Sequence, residues 1–443
     1  MYDHVEMNSG SIVAEKVDQA LAILRELDID CWLTFVRETT ETGDPILPLI
    51  LGQPLTWQSA LILTSSGERI AIVGKYEDKA VQSAGGSKAW TKVLPYVQSI
   101  RSPLITTLQR LNPKQIAVNF STDDVKADGL SHGMMLLLRE YLKDTPFVDR
   151  LVSAERIIRA LRSRKTAGEI ERIRAAIATT EKIFNALQNF AKPGHSEAQI
   201  SQFMHEQAGQ SSGGGGGGGG GVGLAWEKSM CPIVTTGPNS MVGHGLPSNE
   251  LKITPGHIFH IDFGIRKAEY CSDIQRCWYV PENVHRRDAE GAEERHLDPS
   301  LRPLRLCGES KPPDAVQRAF DTVVKAIQAA AEALKPGVEC WTVDAAARTI
   351  IVDAGYPEYQ HATGHSVGRA AHDGGGVLGP KWERYGQTPF YPVEIGNVFT
   401  LELGIDNVDG RGYLGLEEMV LVTERGIEWL TTPQTELPLL QEG

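Results

Sequence analysis

In the second half of the chain, Asp262, Asp273, His361, His365, His372, Glu402 and Glu417 have the residue types and spacing to do chemistry. Asp262 and Asp273 interrupt two apolar, alternating runs, residues 258–265 and 273–280, which read as the arms of a β-hairpin around a short polar turn. A buried carboxylate is costly unless it is paired or binds a metal. The fold-back aims both acids into one space, where salt bridges to Arg266 and Arg276 or a metal ion would satisfy them.

His361, His365 and His372 lie in a segment ending His-Asp-Gly-Gly-Gly that is too rich in glycine to be a packed helix. Glycine lets backbone approach a ligand closely, and imidazole binds metals and moves protons near neutral pH. One such histidine would read as structural; three flanked by glycine read as a site. Glu402 and Glu417 sit in strand-like runs, and Glu418 points to the face opposite Glu417 because side chains alternate along a strand. Four carboxylates and one imidazole form a hard, oxygen-rich donor set. It suits two divalent ions, Mn²⁺ first and Co²⁺ or Zn²⁺ as alternatives. Without metal, such a cluster raises its own pKa values.

The elements that must position these residues fall into two domains, a comfortable division for 443 residues. In residues 1–152, strand-like runs at 31–35, 59–64, 69–73, 92–97 and 115–119 alternate with helical stretches, which indicates a layered α/β domain. None of its helices opens on a phosphate-binding glycine loop, so no nucleotide site is expected. Residues 153–443 read as α+β, with a long helical run at 166–190 and late strands near 398–403 and 418–430. The charges from Arg156 through Arg162, Arg164 and Lys165 to Glu169 and Arg172 read as solvated helix faces. The run Gly213–Gly221 cannot pack and reads as a flexible loop or a substituted stretch. Residues 281–313, rich in proline and charge, read as a surface insertion.

A net charge of −12 and a pI near 5.5 exclude a general nucleic-acid binder, which needs a basic face. Six cysteines without a Cys-x-x-Cys pair read as reduced thiols. No apolar run reaches membrane-spanning length, so a cytoplasmic protein without membrane or nucleic-acid partners is expected.

In this order and these local contexts, Asp262, Asp273, His365, Glu402 and Glu417 resemble the five metal ligands of the pita-bread metallopeptidases. That superfamily includes aminopeptidase P, prolidase and methionine aminopeptidase. His361 and His372 match its auxiliary histidines, and Thr236-Gly-Pro-Asn-Ser240 followed by His244 is similar to its substrate-site segment. The resemblance spans residues 161–430. It implies a creatinase-type α/β domain before an α+β pita-bread catalytic domain, two metal ions, a proline-containing peptide or dipeptide substrate, and a homodimer. The implied reaction is Xaa-Pro hydrolysis, as aminopeptidase P or dipeptidase, by a hydroxide held between the ions. Glu402 would shuttle the proton, His361 would steady the tetrahedral intermediate, and His244 and His372 would border the proline pocket. Two departures bear on the substrate. Gly415 stands where these enzymes carry arginine, with Arg411 as a replacement for substrate contact, and Leu403 stands where they carry proline. A non-catalytic pita-bread peptide-binding module and a creatinase-like hydrolase are the alternatives; retention of all five ligands argues against both.

Overall fold

The computed structural model describes residues 9–83, 89–211, 221–241, 243, 245–282 and 311–440. His244, Gly213–Gly220 and nearly all of the insertion lie outside the described residues.

The first unit is a six-stranded mixed sheet in the order Lys92–Tyr96, Arg69–Gly74, Ser59–Thr64, Cys31–Val36, Ile116–Val118, Leu151–Ser153. The central strand Cys31–Val36 shows why helices cover both faces. Its alternate residues Cys31, Leu33 and Phe35 enter one core, while Trp32 and Val36 enter the other with Val17 and Leu24 of the helix Ser9–Glu26. The helix Glu155–Ser163 follows the last strand and adds Ile157, Ile158 and Leu161 to that second core. The chain then passes between the two units. Thr166 caps the helix Ala167–Phe190 in a reciprocal capping box, its backbone N–H bonded to Glu169 Oε2 at 2.8 Å.

The expectation that the charges around this passage are solvated holds for Arg156 and fails for four others. Arg162, Lys165, Glu169 and Arg172 are buried. Each of the first three meets an opposite charge from a distant part of the chain: Asp373 for Arg162 and Lys165, and Lys16 for Glu169. Local charge pattern cannot anticipate partners 153 or more residues away.

The second unit is an antiparallel sheet in the order Val398–Ile405, Leu414–Thr423, Ile274–Tyr279, Ile258–Phe263, Ile233–Thr235, with Gly426–Trp429 also paired to Leu414–Thr423. The expected hairpin is present, with Phe263 opposite Ile274 and Ile258 opposite Tyr279. A smaller hairpin, Ile265–Lys267 with Tyr270–Cys271, extends it through a turn at Ala268 and Glu269, both at positive φ. Leu401 and Leu403 join the core formed with the helices Asp314–Ala333 and Cys340–Asp353, so alternation sends Glu402 the other way. No described helix is long and apolar enough to cross a membrane.

Candidate metal centre

Strand register assembles the site. Ile233 pairs with Asp262, Asp262 with Gln275, Gln275 with Glu417, and Glu417 with Glu402, so these residues form one row across five strands. Asp273 lies two residues before Gln275 and therefore on the same face. His365 arrives from a separate segment, the short strand Gly364–His365, laid against the strand of Glu402. Glu402 N donates to Thr363 O at 2.7 Å, and His365 N donates to Thr400 Oγ1 at 3.1 Å. Only glycine permits this approach, since a Cβ at Gly364 would lie 2.0 Å from Thr400 O. The pair Asp344 and Arg348 holds the segment from below, with Thr363 Oγ1 donating to Asp344 Oδ1 at 2.9 Å and Arg348 Nη2 to His361 O at 2.7 Å.

His365 Nε2 lies 3.7 Å from Asp273 Oδ2, 3.6 Å from Glu402 Oε1 and 3.9 Å from Glu417 Oε1. Metal–ligand bonds of roughly 2.0–2.2 Å separate the ligands of one ion by about 3–4 Å, so these spacings fit donors around a shared ion. Asp262 Oδ1 and both oxygens of Glu417 are buried without hydrogen-bond partners, an arrangement that a cation would relieve. The salt-bridge alternative is absent at Arg276, which pairs with Glu418 on the opposite face.

Electrostatics agree. Burial pushes Asp262 up to about 7, and burial with the Asp262 charge pushes Glu402 up to about 8. Burial, then the neighbouring carboxylates, hold Asp273 and Glu417 well above the usual range. Burial pushes His365 down to about 3, leaving a neutral imidazole that can ligate.

A cavity of about 460 Å³ opens on the row, with Asp262, Gln275, His361, His372, Glu402 and Tyr413 in its wall. A second, of about 320 Å³, opens on His361, His365, His372 and Glu402, and its far wall is Asp123, Asp124 and Val125 of the first unit. His361, His372 and Glu402 border both, and the His372 ring lies 4.1 Å from that of His365. Arg411 lines neither cavity. Its Nη1 donates to Gly256 O at 2.6 Å and to Glu282 Oε1 at 2.8 Å, so the charge lacking at Gly415 is not supplied from there. Of the segment before His244, Thr236 and Ser240 are tied to Glu197, and Gly243 reaches the first cavity.

Three site residues escaped the sequence reading. Neutral His260, pushed down to about 4 by burial, donates from Nε2 to Gln275 Oε1 at 3.1 Å, and Gln275 Nε2 donates to Glu402 Oε2 at 3.2 Å. Gln275 thereby orients Glu402, and its place two residues after Asp273 was the available signal. Tyr413 packs edge-on against His260, with ring centroids 4.8 Å apart, and bonds Tyr359. Its ring covers the paired glycines Gly404 and Gly415 and fills the space a side chain at 415 would need. Gly415→Ala would set a Cβ 2.4 Å from Tyr413 Cε1, so a loss of about 1–3 kcal/mol is expected in urea unfolding. Adding Tyr413→Ala should cost less than the sum of the single changes; strict additivity would show that the two sites do not press on each other.

A mixed α/β domain followed by an antiparallel sheet that gathers acids and one histidine beside a cavity is the two-domain pita-bread architecture of metallopeptidases. Residues 171–298 and 300–424 match metallopeptidase family M24, and the chain belongs to that family. It is 27% identical over 319 residues to an Xaa-Pro dipeptidase of Pyrococcus furiosus, a match covering 72% of this chain and 76% of that one. It is 28% identical over 279 residues to an uncharacterized peptidase of Staphylococcus saprophyticus, covering 62% of this chain and 65% of the relative, just under two thirds of its length. The solved Xaa-Pro dipeptidase from Bacillus anthracis shares the fold, with a TM-score of 0.68 at 21% identity over 96% of this chain and 99% of that one.

Proposed function

We propose that the chain is a dinuclear-metal peptidase that hydrolyses Xaa-Pro peptide bonds. The observation that carries this reading is the convergence of Asp273, Glu402 and Glu417 on His365 beside two cavities, with oxygens of Glu417 and of nearby Asp262 left unpartnered. Asp262, Asp273, His365, Glu402 and Glu417 would hold two divalent ions, with Mn²⁺ favoured by oxygen-rich donors. Such ions, when bound, activate water and polarise the scissile carbonyl.

The rest of the chemistry belongs to the chain. Glu402, oriented by Gln275 and bordering both cavities, is the carboxylate placed to accept a proton and return it to the leaving nitrogen. His361 and His372 flank the same point and would donate to the carbonyl oxygen as its charge develops. Likeness to proteins described as Xaa-Pro dipeptidases supports proline after the scissile bond. The tertiary amide of that bond resists ordinary peptidases.

The test is hydrolysis of Ala-Pro peptides by chelated and Mn²⁺-reloaded protein. Activity should require reloading, and matched Ala-Ala peptides should be cleaved roughly tenfold or more slowly. Binding of Ala-Pro peptides without cleavage would favour the binding-module reading. Equal cleavage of both series would remove the proline specificity.

A further inference from the structure

The buried charges at the passage between the two units have no role in the chemistry above, yet they end on the backbone that carries His372. Asp373 is buried and takes two cations at once. Lys165 Nζ donates to Oδ2 at 2.9 Å, and Arg162 Nη2 donates to Oδ1 while its Nε donates to Asp373 O at 2.9 Å. The remaining arm of Arg162 reaches into the first unit, where Nη1 donates to Pro45 O at 2.8 Å. Both cations together hold the Asp373 carboxyl below the usual range against a strong burial penalty.

The other side of the turn is held by the first unit as well. Gly375 N donates to Asp124 Oδ2 at 2.9 Å, and Asp124 is itself fixed by the Lys126 backbone N–H at 2.9 Å on Oδ1. A third bond, Asp373 N to Ser366 O at 2.9 Å, ties the turn to the residue after His365. The sequence His372-Asp373-Gly374-Gly375 is therefore gripped at one end by Arg162 and Lys165, from the passage between the units, and at the other by Asp124 of the first unit. The packing leaves no slack: a Cβ at Gly368 would lie 2.1 Å from Asp373 Oδ2, and one at Gly374 would lie 2.7 Å from Lys126 Cγ.

We propose that Arg162 and Lys165 are positioning residues that act through Asp373 on His372, and that the N-terminal unit takes part in catalysis by clamping this turn. An unpaired buried charge is far costlier than a satisfied one, so the triad has one stable arrangement, and His372 inherits it. A glycine-rich turn without the clamp would sample many arrangements, and misplacement of a reacting group by about 1 Å can cost roughly a hundredfold in rate. The catalytic part of this inference rests on the Xaa-Pro reading above; the clamp itself does not.

The test uses Mn²⁺-loaded full chain with Arg162→Met, Arg162→Lys, Asp373→Asn and, as a control, Arg164→Gln. Arg164 also bridges the units, through Glu26 and Glu394, without touching Asp373. Three quantities are read: bound metal per chain, kcat and KM on an Ala-Pro peptide, and amide exchange across residues 366–376. Arg162→Met and Asp373→Asn should keep their metal, exchange faster across 366–376 and lose about a hundredfold in kcat with KM changed far less. Arg162→Lys should recover part of kcat, and Arg164→Gln should match wild type in kcat and in exchange at this segment. Unchanged exchange at 366–376 in Arg162→Met and Asp373→Asn overturns the proposal, whatever the substrate proves to be. So does an equal kcat loss in Arg164→Gln. Faster exchange in a protein whose wild type cleaves no Ala-Pro peptide supports the clamp and defeats the Xaa-Pro reading instead.

Discussion

Removing bound metal should leave a protein whose stability falls as pH rises from about 4 to about 8, whereas the Mn²⁺-loaded protein should be spared that fall. Folding raises Asp262 from 3.8 to about 7 and Glu402 from 4.5 to about 8, with Asp273 and Glu417 also raised. Between the unfolded and folded values the four carboxylates hold more protons in the native state than in the unfolded chain; His365 and His260, lowered from 6.5 to about 3 and about 4, oppose this in the lower part of the window but are outnumbered, so stability declines with pH across it. Below it both states are protonated and the penalty disappears; above it the Asp262 and Glu402 parts of the penalty are complete. Asp373 shifts the other way, from 3.8 to about 2, so its contribution is intact throughout the window and is lost only in stronger acid. Asp44, Asp124 and Glu418 are also raised by burial, but they belong equally to loaded and metal-free protein and cancel in the difference.

Metal binding requires the ligands deprotonated, so loading releases protons and tightens with pH. At a hundredfold excess of free Mn²⁺ over Kd the loaded state gains about 2.7 kcal/mol. For domains of this size that is a rise in Tm of roughly 5–10 °C. The measurement is Tm of chelated and loaded protein from pH 5.5 to 8, with calorimetric proton release in buffers of different ionisation enthalpy. A gap in Tm that stays constant across this range, or loading that takes up protons, would show that these carboxylates do not bind the metal.

The sequence disclosed this site unevenly, for physical reasons. Asp262 and Asp273 stood out because a charge inside an alternating apolar strand is costly, and the hairpin that joins them is a local structure with a local pattern. Glu402 and Glu417 needed only the two-residue period to be assigned a face, and the same rule turned Glu418 away, toward Arg276 and Thr431. Gln275 obeys that period too, but a neutral amide carries no visible cost, so nothing drew attention to it. Tyr413 was invisible for a different reason. Its role comes from the empty space above Gly404 and Gly415, which exists only once their two strands are in register. Arg162 and Lys165 were misread because helical charge runs are normally solvated, and their partner Asp373 lies 208 or more residues away. Arg411 was close in sequence to the position it was meant to serve, but its turn directs the guanidinium toward Gly256 and Glu282.

The sharpest separation of roles is expected among the histidines. His365 presents Nε2 to Asp273, Glu402 and Glu417, so His365→Ala should lose metal affinity and rate together. His361 and His372 border both cavities beside Glu402, while the three carboxylates nearest the site's imidazole gather on His365 Nε2. His361→Ala and His372→Ala should therefore keep their metal while losing roughly 10²-fold or more in kcat or kcat/KM, the scale of a lost proton carrier or oxyanion donor. Their backbones are anchored independently of the rings, His361 O by Arg348 and the neighbour of His372 by Arg162 and Lys165, so Tm should change little. Were the rings mere braces for the glycine-rich segment, Tm would fall while the folded fraction kept its turnover. Elemental analysis, melting and Ala-Pro hydrolysis on the three variants distinguish these outcomes. Metal loss in His372→Ala equal to that in His365→Ala would move His372 into the ligand set and undo the assignment of a proton-donating role.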